Sequence, residues 1–180
     1  NPDYLPAQIM KADILMARNA WDEALVHLAG MQRDHPGNTQ LIYMSGLAHL
    51  KKEDFGRARA DLEKIKSGAP EYINARLLLS GIFIGENRLD LAEKACNDIL
   101  SVVPNHYEAR KLLGNIALLD NRPDDAKGHF TELADLAPEN PEPHYLMGKI
   151  FLREQKYAAA AEKFDAALAR SPNRLDVFSS

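Results

Sequence analysis

The chain has 180 residues, a length for one domain or two small ones. Its 22 Lys and Arg against 26 Asp and Glu leave a net charge of −4, which argues against a general nucleic-acid binder, because that role needs a basic surface to displace phosphate counterions. An apolar content of 46% excludes a disordered chain, the shortness of the apolar runs excludes a membrane span, and a single cysteine, Cys96, excludes an internal disulfide or a thiolate zinc cluster.

Along the chain, prolines keep one beat. Pro2, Pro36, Pro70, Pro104, Pro138 and Pro172 lie 34 residues apart. Ala24, Ala58, Ala92, Ala126 and Ala160 keep the same interval. A third column is small: Ala12, Gly46, Ser80, Gly114 and Gly148. A fourth is large and mostly apolar: Leu28, Leu62, Cys96, Phe130 and Phe164. These columns divide the chain in order. Residues 1–4 read as the end of an earlier unit, since Pro2 is in register. Units follow over 5–38, 39–72, 73–106, 107–140 and 141–174, and 175–180 open a later one. The chain is therefore expected to come from a longer array, with targeting signals, anchors or catalytic domains lying outside it.

The last full unit shows the physics most plainly. Tyr145, Met147, Gly148, Ile150, Phe151 and Leu152 recur at helical spacing. Glu154-Gln155-Lys156 makes a polar turn. Tyr157, Ala160, Ala161, Phe164, Ala167 and Leu168 then form a second apolar stripe, and Pro172 stops it. Each unit is predicted to be a helical hairpin. The small columns let its two helices, and its neighbour, approach closely. The turn column is Asn19, Glu53, Asn87, Asn121 and Gln155. Asn tolerates left-handed geometry at a helix end, so three turns fit that role, and those at Glu53 and Gln155 are expected to differ.

This pattern resembles the tetratricopeptide repeat, a 34-residue helix–turn–helix. The resemblance covers nearly the whole chain. It is closest in 141–174, with Gly148, Phe151, Tyr157, Ala160, Phe164, Ala167 and Pro172 in place, and weakest in the first helix of 5–38, where Ala12 and Leu15 replace glycine and an aromatic. It implies an all-α fold: one α-solenoid array over 1–180, a right-handed superhelix of antiparallel helix pairs. In the family, first helices line a concave face and second helices form the convex back. The charged stretches Glu93, Lys94, Asn97 and Asp98, or Glu162, Lys163 and Asp165, suit a solvated back.

On that geometry the groove-facing residues are Ile9, Met10 and Asp13; Tyr43, Met44 and Leu47; Leu77 and Leu78; Lys111 and Asn115; and Tyr145, Leu146 and Lys149. One ladder within this set, Met10, Met44, Leu78, Leu112 and Leu146, is apolar in every unit. A contiguous apolar surface marks a binding site, and methionine in it adapts to differing partners. Part of the ladder can equally be core, and the leucines late in the first helix, such as Leu118 and Leu152, are expected to be core. Tyr43 and Tyr145 pair an apolar body with a hydrogen-bonding tip, which suits contact.

Two ligand modes of the family fail residue by residue. The carboxylate clamp finds Lys111 and Asn115 for its first pair. Leu146 then stands for its next Asn, and Asp176 and Ser180 for its basic residues. The asparagine ladder of glycosyltransferase arrays meets Met10, Met44, Leu78, Leu112 and Leu146 instead. No cofactor or metal is implied. His27, His35, His49, His106, His129 and His144 include no pair at i, i+4 and no H-E-x-x-H. His49 and His144 replace packing aromatics, and Cys96 reads as a buried inert thiol. Asp124 and Asp125 after Pro123 read as a helix start, not as a catalytic pair. No nucleophile elbow, P-loop or dinucleotide fingerprint occurs.

The reading is a non-catalytic scaffold that takes an apolar or amphipathic protein segment in its groove. The alternatives are a self-assembling scaffold partnered by its own copies and the regulatory arm of a larger enzyme. The Ala-Arg-x-Leu-Leu starts at Ala75 and Ala109 are similar to those of large bacterial repeat proteins of exopolysaccharide and surface-export systems. The compartment stays open between cytoplasm and bacterial periplasm.

Overall fold

Helix starts and stops are written locally, and the fold follows from them. The computed structural model describes residues 4–170. Among these there are ten α-helices and no strand, grouped in two compact units that divide between Arg88 and Leu89. The first unit holds α1 (Leu5–Ala17), α2 (Trp21–Asp34), α3 (Thr39–Lys51), α4 (Phe55–Leu62) and α5 (Tyr72–Gly85). The second holds α6 (Leu89–Val102), α7 (Tyr107–Leu119), α8 (Pro123–Leu136), α9 (Glu142–Arg153) and α10 (Tyr157–Ala169). Within each unit every helix packs on its sequence neighbours.

Caps account for the starts. Asn38 Oδ1 accepts the Leu41 N–H at 3.2 Å, and Asp54 Oδ1 accepts the Arg57 N–H at 3.1 Å. Pro123 opens α8, with Asp124 and Asp125 in its first turn against the positive end of the dipole. Pro36, Pro104 and Pro138 follow the ends of α2, α6 and α8. The second helix of the 39–72 hairpin is the exception: α4 has 8 residues, where α2, α6 and α8 each have 14. Ser67-Gly68 is poor helix sequence, and Gly68 takes φ 96°. Ile65 nevertheless stays buried, with its carbonyl accepting from Arg76 Nη2 at 3.4 Å.

The turns inside the hairpins correct one sequence expectation. Glu53 and Gln155 are left-handed like the three asparagines, at φ 59° and 60°. All five hairpin turns share one bonding pattern. The Gln155 N–H donates to the Leu152 carbonyl at 3.0 Å and the Lys156 N–H to the Phe151 carbonyl at 2.9 Å. Glu53 and Asp54 do the same to Leu50 and His49, both at 3.0 Å. These nested bonds satisfy the orphan carbonyls of the helix end and require φ > 0 whatever the side chain. A non-glycine residue there costs about 1–2 kcal/mol, while glycine costs about 0.5–1 in chain entropy. Gln155→Gly is therefore expected to raise the unfolding free energy by roughly 0.5–1 kcal/mol, read as a shift of the urea midpoint at unchanged slope.

Each unit has its own core. In the first, Ala12, Leu28, Met31, Leu41 and Met44 form a buried cluster, with Leu5, Ile9 and Met16 packed on it. Gln32 Nε2 donates to the Leu41 carbonyl at 3.0 Å and to the buried Ser45 Oγ at 2.8 Å, tying α2 to α3. In the second, Ala117, Ala126, Phe130, Leu133, Met147 and Ile150 cluster across α7, α8 and α9. The small column is small for the expected reason. A Cβ on Gly46 would lie 2.9 Å from Leu62 Cγ, and one on Gly148 would lie 2.8 Å from Phe164 Cδ1. Cys96 is buried. Pro2 and Pro172 lie outside the described residues.

Candidate binding surface

In the first unit the groove positions divide. Met10 is 63% exposed on α1, and Ile14, one turn on, is 54% exposed. Asp13 is exposed too, while Ile9 turns onto the core cluster. On α3, Met44 is only 5% exposed and belongs to that cluster. The apolar ladder is thus no uniformly open surface: Met44 is buried in the cluster that α3 forms with α1 and α2. Tyr43 and Leu47 are half-buried, as are Leu77 and Leu78 on α5. Burial, and then the charge of Glu71, push the Tyr43 hydroxyl above its usual pKa. Glu71 itself accepts from Thr39 Oγ1 at 2.6 Å, linking the starts of α3 and α5.

In the second unit a polar network occupies the start of the surface. Tyr107 donates to Glu142 Oε2 at 3.1 Å and accepts from Asn140 Nδ2 at 2.7 Å. Burial, then Glu142, raise the Tyr107 pKa strongly. Lys111 Nζ sits 3.0 Å from Glu108 and 3.5 Å from Glu142. Burial pulls its pKa down, but the two carboxylates outweigh this and the net shift is upward. Lys111 is therefore a held cation, with Asn115 half-buried one turn along α7.

On α9 the arrangement is more open. Leu146 is half-buried against the second core. Tyr145 is 51% exposed, yet its ring is steadied: the Phe164 ring lies 6.0 Å away at a 51° tilt, and Lys149 Nζ stands 5.6 Å over its face. Lys149 is exposed, and so is Leu152, against the expectation of a core leucine there. Sequence reasoning passed over Ile14; its spacing of four from Met10 is the signal that finds it.

Three of the histidines are held within the fold. His27 Nε2 lies 3.0 Å from the Gln8 carbonyl. Burial lowers the pKa of His129 and of His144. Among the described residues no three His, Cys, Asp or Glu side chains group as a metal site, and no helix is long and apolar enough to cross a membrane. Asp176 and Ser180, weighed above for a clamp, lie outside the described residues.

Two family models, each described as a tetratricopeptide repeat, match residues 49–116 and 112–174. No curated protein matches the chain. Several solved structures do. A MamA fragment from Desulfovibrio magneticus RS-1 is 20% identical, with a TM-score of 0.79 over 96% of this chain and 98% of its own. YrrB, described as a TPR protein with an unusual peptide-binding site, is 20% identical, with a TM-score of 0.71 over 93% of this chain and 87% of its own. TTC0263, a thermophilic TPR protein of Thermus thermophilus, is 18% identical, with a TM-score of 0.61 over 96% and 94%. At these identities the likeness is one of fold.

Proposed function

From the premise that the chain belongs to the tetratricopeptide repeat family, a protein-interaction fold, we propose that it binds an extended or helical protein segment on the faces of its first helices. The observation that carries this reading is Tyr145, a large side chain left half exposed while a ring and an ammonium hold it in place. A pre-ordered aromatic loses little entropy on binding, which is why such residues dominate interfaces. Met10 and Ile14 on α1 offer a second, purely apolar contact of the adaptable kind. Met44 takes no part, since it is core. The role proposed for these faces is recognition.

The test is selection of a displayed peptide library on the full chain, followed by titration of the selected peptides. Tyr145→Ala is expected to weaken them about tenfold or more, the cost of truncating a central aromatic anchor. Selected peptides that bind this variant and Met10→Ala as tightly as the parent would remove the first-helix faces from the function.

A further inference from the structure

A pocket of about 330 Å³ lies beside that surface in the second unit, where α7 ends and α9 passes. Leu118, Pro123 and Ile150 give it an apolar lining, and Asn121, Lys149 and Arg153 supply polar groups. Ile150 is buried and Leu118 half-buried, so the apolar part is fixed by the core beneath. Lys149 and Arg153 are four residues apart on α9, which places both cations on one side of the helix, one turn apart.

The charge balance around the pocket is the decisive feature. Its one carboxylate, Glu154, is already occupied: Lys127 Nζ lies 3.0 Å from it and Lys156 Nζ 2.8 Å. Those hydrogen bonds, first from Lys156 and then from Lys127, hold its pKa below the usual carboxylate range. In the neighbouring turn, Asp120 and Asp125 close on Arg122 at 2.8 and 2.7 Å. Lys149 has the Tyr145 ring face for company, and among the described residues neither it nor Arg153 has a carboxylate partner within an ion-pair distance. Two cations thus line an apolar cavity whose one carboxylate is paired with other lysines. The volume suits one aliphatic side chain and a carboxylate, not a folded element.

We infer that this pocket takes an acidic-apolar step of the bound segment, an Asp or Glu carboxylate between Lys149 and Arg153 with the adjacent aliphatic side chain against Leu118 and Ile150. The inference rests on the reading that a segment lies along the first helices. It names the chemistry of one stretch of that segment. The carboxylate is a side chain's, because a segment continuing past Tyr145 keeps its own chain end elsewhere.

The experiment uses the full chain and two probes, Ac-Ser-Leu-Asp-Leu-Ser-NH2 and its Asn counterpart, titrated by heteronuclear NMR. Both have blocked ends, so only the side-chain carboxylate differs. The acidic probe is expected to bind at a Kd of about 1 mM or better and at least fivefold tighter than the Asn probe. It should shift Leu118 and Ile150 methyl signals. Lys149→Glu with Arg153→Glu should abolish that preference, as should raising the salt severalfold. Both positions are exposed, and an unchanged urea midpoint shows that the fold is intact. Equal binding of the two probes overturns the acidic assignment, yet leaves the first-helix surface standing if both weaken in Tyr145→Ala. No binding of either probe overturns the assignment as well. Preference for a free C-terminus over the blocked acidic probe overturns it in favour of a terminal carboxylate.

Discussion

Replacing Phe130 with alanine is expected to lower the unfolding free energy by about 3–5 kcal/mol, among the largest losses available to any single truncation in this chain. Phe130 is 0% exposed and is the largest wholly buried side chain among the described residues. Its ring reaches from α8 into a cluster with Ala117 of α7 and with Met147 and Ile150 of α9, so three helices lose contact together. The glycine and alanines around the ring offer little to fill the space. Gly114 carries no side chain, and Ala117 and Ala126 are already small. The cost is therefore the lost transfer energy plus a cavity that collapses poorly. Urea unfolding measures the total. Amide exchange in α7, α8 and α9 should accelerate while that of α2 and α3 changes much less, because neighbour contacts carry the stability of such arrays. Uniform acceleration across both units would mean that the loss is not local.

Phe130 was legible before any coordinates, and the reason is physical. A column that recurs every 34 residues samples one environment five times, so its size and polarity are averaged over many contacts. The close approach allowed by the small column was legible in the same way, but its partner in the large column emerges only from the packing, where Gly114 faces Phe130 and Gly148 faces Phe164. What stayed hidden depended on one residue's own neighbours. Met10 and Met44 share a column, but Met44 belongs to the buried cluster formed with residues of α1 and α2, whereas Met10 lies outside it. The first methionine is exposed and the second is core. Lys111 reads as a free groove cation until Glu142, in the next hairpin, is placed beside it. The turns at Glu53 and Gln155 depart from expectation for the opposite reason. Residue preference alone sets them apart, whereas the nested carbonyl bonds at the helix end fix the left-handed geometry for any side chain.

The glycine opposite Phe130 carries the second large effect, and here two magnitudes oppose each other. A glycine inside a helix costs about 1 kcal/mol relative to alanine, so Gly114→Ala gains that much in backbone terms. Against it, a Cβ at Gly114 would stand 2.7 Å from Phe130 Cζ and 3.0 Å from Cδ1, well inside contact distance. The ring is fully enclosed and cannot swing aside, so α7 and α8 must separate. Overpacking of this kind costs about 1–3 kcal/mol per added methyl-sized group. Gly114→Ala is thus expected to be destabilising by up to about 2 kcal/mol, and Gly114→Val by about 3 or more, since valine adds two further carbons and forfeits the helix gain. Two comparisons isolate the mechanism. Gly128→Ala on α8, where nothing lies within 4 Å of the new Cβ, should be stabilising by about 1 kcal/mol. Gly148→Ala should cost less than Gly114→Ala, because Phe164 is only half-buried and its ring has room to yield. The pair Gly114→Ala with Phe130→Leu should be less destabilised than the two single changes added together, by about 1 kcal/mol. Strict additivity in that cycle would show that the ring does not set the spacing of α7 on α8.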